Sequence, residues 1–124
     1  MNDYIVLVTR LLLAQIFILS GLTKLGSYAA TQGYMESMGV PSLLLPLVIA
    51  LEIGGGLSLV VGWLARWSAL ALAGFCIAAA VLFHWNFADQ MQAINFMKNL
   101  AMTGGLLLLY VHGAGRLSMD ARRI

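Results

Sequence analysis

Four apolar runs, Ile5–Thr23, Ser42–Leu64, Trp67–Phe83 and Phe96–Val111, occupy most of this 124-residue chain. Each approaches the ~20 helical residues that cross the hydrocarbon core of a bilayer. The runs are rich in Leu and Ala and lack the period-two alternation of a barrel strand. A single helix also satisfies every backbone hydrogen bond inside lipid. The pattern therefore predicts an all-α fold. It reads as a four-helix transmembrane bundle, a polytopic integral membrane protein, with spans at about 5–23, 42–64, 67–83 and 96–111 in one domain over residues 1–124.

Composition excludes the main alternatives. The chain is 61% hydrophobic and 10% charged, against about 25% charged for soluble domains. Its net charge of +2 comes from scattered basic residues, with no basic, aromatic-interleaved face for nucleic acid. One cysteine, Cys76, cannot form an internal disulfide or a CxxC pair, and reads as a small packing residue. The two histidines lie far apart, and no metal site is expected. The first run continues to Thr23 without an A-x-A site, so it is read as a retained helix rather than a cleaved signal.

The connections set the expected topology. The longest, Lys24–Pro41, carries an amphipathic patch around Tyr28–Met38; the second is a tight turn around Gly62–Trp67; the third runs from His84 to Asn95. Arg66, Arg116, Arg122 and Arg123 lie on the side of the termini, with Lys24 and Lys98 toward the other. The bias of Lys and Arg toward the cytoplasmic side places both termini in the cytoplasm. Gly54, Ser58 and Gly62 recur every four residues, a small-residue stripe expected to let helices approach closely.

A carboxylate in lipid demands a reason, and Glu52 sits about ten residues from either end of the second run. An unpaired charge there costs roughly 2.5–3.5 kcal/mol on insertion scales. Glu52 is therefore expected to be protonated, or ionised and paired. Arg10, Phe17 and Lys24 are spaced by seven and share a face of the first helix. Arg10 lies roughly 7–8 Å from the Glu52 level by helical rise, which makes it the expected partner. Lys98 approaches from the opposite end, and His84 stands at the close of the third run. Glu52, Arg10, Lys98 and His84 thus form a candidate polar core, either contacting a ligand or proton, or fixing helix register as buried pairs do. Lys24, Asn95 and Asn99 are candidate interface or headgroup contacts.

At these residues the sequence resembles the DoxX family of small bacterial inner-membrane proteins, nearly end to end. The resemblance is carried by Arg10, Ser20–Leu25, Tyr34–Met35, Gly39–Pro41, Glu52, Gly62–Arg66, His84, Asn95–Asn99, Gly104–Leu107 and Gly113–Asp120. Met97 and Met119 depart mildly from residues common in relatives. The resemblance implies a four-helix protein of the bacterial inner membrane. The family takes its name from a subunit linked to quinol oxidase and thiosulfate–quinone chemistry, and some relatives associate with redox partners. Most members have no assigned reaction. The resemblance implies an accessory subunit of a quinone-linked redox system, with no reaction assignable from the sequence. No cofactor is evident in it; a quinone is the possible ligand, and oxidoreductase subunits or further copies of the chain are the possible partners. With no haem-ligating pair, CxxC or nucleotide motif, electrons would come from a partner or a bound quinone. Two other readings stand beside it: a carrier for a small solute or protons using Glu52, and a structural membrane partner with no ligand.

Overall fold

The computed structural model describes residues 3–83 and 87–122. Five helices form: α1 (Asp3–Gly26), α2 (Tyr28–Ser37), α3 (Leu45–Val61), α4 (Ala65–Phe83) and α5 (Gln90–His112). Short 3-10 turns precede α3 at Ser42–Leu44 and lie at Asp120–Arg122. The described residues contain no strand. α1, α4, α5 and the segment Ser42–Val61 are each long and apolar enough to cross a membrane. The exterior of these four is apolar, from Leu12 and Leu47 to Leu108 and Val111, as suits a surface solvated by lipid.

Helix ends follow local chemistry. Pro46 occupies the first turn of α3, where its missing N–H costs nothing. α3 stops at Gly62, whose φ of +74° favours a residue without Cβ. α5 begins six residues before the expected Phe96 because Asp89 caps it, its carboxylate accepting from the Met91 N–H at 2.9 Å. The polar stretch Gln90–Asn95 is therefore helix, although its low hydropathy reads as loop. Lys24, likewise, belongs to the last turn of α1 rather than to the first connection.

α1 packs antiparallel on α3, α3 on α4 and α4 on α5, whereas α1 and α5 meet only lightly. The expected stripe is not the one that packs: Gly54 faces open space and Gly62 is the turn residue. The tight crossing uses Gly56, where a Cβ would stand 2.6 Å from Ile18 and 3.2 Å from the Ala14 carbonyl oxygen. Gly21 does the same from the other side, a Cβ there lying 2.6 Å from Ile53. The central core joins Ala14, Phe17, Leu59, Ala69, Leu72, Cys76 and Leu106. α2 folds over the end of the bundle away from the termini. There Met35, Val40, Leu45 and Ile49 make a second cluster, and Tyr34 stacks on Phe83 with ring centroids 5.5 Å apart.

An ion pair and a cleft between the first and last helices

Glu52 is almost wholly buried, 2% exposed. Its partner is Lys24: the ammonium stands 2.7 Å from Oε1 and also donates to the Ser20 hydroxyl, one turn back, at 2.8 Å. The pair forms because α1 and α3 approach closely there. A Cβ on Gly21 would lie 3.4 Å from the Glu52 Cβ, so Glu52 sits level with the C-terminal turns of α1. Lys24 then needs only to fold back down its own helix.

The expected Arg10–Glu52 pair does not form. Seven residues of α3, roughly 10 Å of helical rise, separate Glu52 from Leu59, and Arg10 donates to the Leu59 carbonyl at 3.0 Å and the Val60 carbonyl at 3.3 Å. Its other terminal nitrogen donates to the Leu117 carbonyl in the tail. Arg10 is fully buried and acts as a fork for backbone carbonyls. The last carbonyls of a helix lack intrahelical partners, and at the end of α3 each has found one. The Ser58 oxygen accepts from the N–H groups of Gly62 and Trp63, Leu59 and Val60 take Arg10, and Val61 takes the Met119 N–H. A distance estimate along the helix axes could not foresee this, because it treats Arg10 as a charge and ignores the orphan carbonyls.

Sequence reasoning also missed Asp120 as a working residue. Its two carboxylate oxygens accept from the N–H groups of Leu64 at 2.7 Å and Ala65 at 2.9 Å, capping α4 from the tail. A signal existed: the turn Gly62-Trp63-Leu64 offers no Ser, Thr, Asp or Asn to start α4, so its cap must come from elsewhere. Leu64 holds a positive φ of 50° there.

Lys24 and Glu52 line a cavity of about 340 Å³ set in the cleft between α1 and α5. That size falls in the range of small-molecule sites, about 300–1,000 Å³. Ile16 and Phe17 of α1, Ala79 of α4 and Met102 of α5 supply apolar wall; Asn95, Lys98 and Asn99 of α5 supply the polar face. The spacing of these α5 residues puts them on one side of the helix. The Asn99 amide donates to the Asn95 carbonyl at 2.9 Å, which leaves its own oxygen free to accept. Lys98 has no side-chain partner among the described residues. Two ammonium groups thus face the cavity against one carboxylate.

The structure thus brings Glu52, Lys24, Lys98, Asn95 and Asn99 to one cavity and places Arg10 at the other end of the bundle. His84 lies outside the described residues. Among the described residues, no group of three or more His, Cys, Asp or Glu could hold a metal ion. A cavity of about 380 Å³ opens at the end carrying the tail, but its carboxylate, Asp120, already caps α4.

Comparison with known proteins agrees with the architecture. The chain is 51% identical over 120 residues to the inner membrane protein YqjF of Escherichia coli K12, covering 97% of this chain and 92% of that protein. It is 31% identical over 125 residues to the inner membrane protein YphA of the same organism, covering 95% and 89%. No solved structure matches it. The four candidate spans and these relatives mark a multi-pass inner-membrane protein. The family model named DoxX matches residues 5–85, and the chain belongs to the DoxX family.

Proposed function

We propose that this protein is an accessory subunit of a quinone-linked redox system, and that the α1–α5 cavity receives a quinone headgroup. The observation that carries the reading is the unpartnered Lys98 beside the Lys24–Glu52 pair in a cavity with apolar walls. A quinone headgroup is flat and apolar with two accepting oxygens, which matches donors on one face and Phe17 and Met102 on the others. The light contact between α1 and α5 leaves a lateral route from lipid, the phase in which quinones dissolve. Lys98 and the Asn95 amide bind the accepting oxygens. Lys24 orients Glu52, the group in the cavity suited to accept a proton. The quinone supplies the redox chemistry, and a partner oxidoreductase exchanges electrons with it.

The basic residues Arg66, Arg116, Arg122 and Arg123 favour a cytoplasmic location for both termini, which puts the cavity nearer the opposite face. A reporter fused after Ile124 tests this; a periplasmic signal overturns it.

The site itself is tested by extracting the protein in mild detergent and measuring bound lipids by mass spectrometry. Quinone should co-purify with the wild type and fall severalfold with Lys98→Met, which leaves the ion pair intact. Absence of quinone from the wild type overturns the reading. Proton-linked flux in proteoliposomes, abolished by Glu52→Gln, would establish a carrier instead.

A further inference from the structure

α1 buries one side, Val6, Arg10, Ala14, Phe17 and Gly21, against the bundle. On the opposite side Ile5, Val8, Leu12, Gln15, Leu19 and Leu22 are all exposed. Their spacings alternate between three and four residues, the seam of a heptad. Exposed leucines alone mean nothing in a bilayer, because lipid solvates them as well as another helix does. Gln15 is the exception. It lies at the middle of α1, faces outward, and its amide makes no hydrogen bond among the described residues. Other polar side chains of α1 satisfy themselves: the Thr9 hydroxyl donates to the Ile5 carbonyl at 2.9 Å and the Thr23 hydroxyl to the Leu19 carbonyl at 2.8 Å. An outward glutamine amide at mid-bilayer has neither donor nor acceptor in hydrocarbon.

We infer that α1 is a homodimer interface, in which two copies related by a two-fold axis along the membrane normal pair Gln15 with Gln15. The occupant follows from the chemistry. Gln15 needs one donor and one acceptor at its own depth, set within an apolar seam. A second copy brings the same amide to the same depth, so each Nε2–H donates to the other Oε1. Two-fold symmetry makes the patch self-complementary, and one polar residue in the seam fixes its register. Ile5, Val8, Leu12, Leu19 and Leu22 interlock above and below. The seam lies roughly a third of a turn around α1 from Leu13 and Ser20, which face α5 and the cavity, so dimerisation leaves the lateral cleft open.

The interface is tested by disulfide trapping in native membranes, in a Cys76→Ala background. Ile5→Cys and Leu22→Cys, at opposite ends of the seam, should each give self-linked dimers with copper–phenanthroline, whereas Leu47→Cys on the exposed face of α3 should not. In proteoliposomes, energy transfer between fluorescent C-terminal fusions should report dimerisation that weakens on the order of tenfold with Gln15→Leu and persists with Gln15→Asn. Gln15 is exposed, so Gln15→Leu should leave the monomer fold intact, checked by its circular dichroism. The inference is overturned by a monomer at every protein-to-lipid ratio, by Gln15→Leu dimerising as the wild type does, by trapping at Leu47→Cys in place of Leu22→Cys, or by Leu22→Cys linking to a different protein instead of itself.

Discussion

Replacing Arg10 by lysine should damage this protein measurably, although lysine keeps the charge. Arg10 serves three carbonyls, on Leu59, Val60 and Leu117, and hydrogen bonds to a charged group contribute about 1.5–3 kcal/mol each. Arg10→Met forfeits all three but removes a buried cation, regaining roughly 2.5–3.5 kcal/mol on insertion scales. The net loss is about 2–6 kcal/mol. Arg10→Lys keeps the desolvated charge, and its single nitrogen can serve Leu59 and Val60 as one guanidinium nitrogen does. It cannot also reach Leu117, so one bond goes and about 1.5–3 kcal/mol is lost. The assay is unfolding of the purified protein by sodium dodecyl sulfate in mixed micelles, followed by far-ultraviolet circular dichroism. Were Arg10 the counter-ion of a carboxylate, lysine would substitute with little loss. A lysine variant within about 0.5 kcal/mol of the wild type, with the methionine variant collapsing, would refute the fork.

Three further outcomes follow from the packing and the capping. Gly56→Val should force α1 off α3, because its Cβ meets Ile18 and the Ala14 carbonyl, and should lower the melting temperature in detergent by many degrees; Gly54→Val, facing open space, should be nearly neutral. Lys24→Met strands the buried Glu52 carboxylate and should cost about 2–3 kcal/mol, below the 3–5 of a sealed pair because Lys24 is a quarter exposed; adding Glu52→Gln should restore much of the loss in the same titration. Asp120→Ala uncaps α4 and should cost about 1–2 kcal/mol, with the proteolytic sensitivity of the tail rising in parallel.

The fold was legible in the sequence because lipid removes alternatives: an apolar run near twenty residues long has one way to satisfy its backbone. Boundaries were less so where polarity and helicity part company, as at Gln90–Asn95, where a capping aspartate outweighs low hydropathy. The arrangement of the site was half legible. Glu52 announced itself as a buried acid, and the spacing of Asn95, Lys98 and Asn99 put them on one face. Its partner was not, because α3 crosses α1 so that Glu52 lies level with Gly21 rather than near Arg10, and crossing geometry depends on which glycines meet. Gly56 and Gly21 made that crossing, and nothing in a stripe of small residues says which of its members faces a neighbour.

Leu117 and Asp120 leave the ribosome more than a hundred residues after Arg10. Until then one acceptor of the guanidinium is missing and α4 has no cap. The four spans can insert in order, yet this end of the bundle closes only when Leu117, Met119 and Asp120 arrive. A chain cut short before Leu117 would retain all four candidate spans and still be unfinished, its arginine short of one acceptor and α4 without its cap.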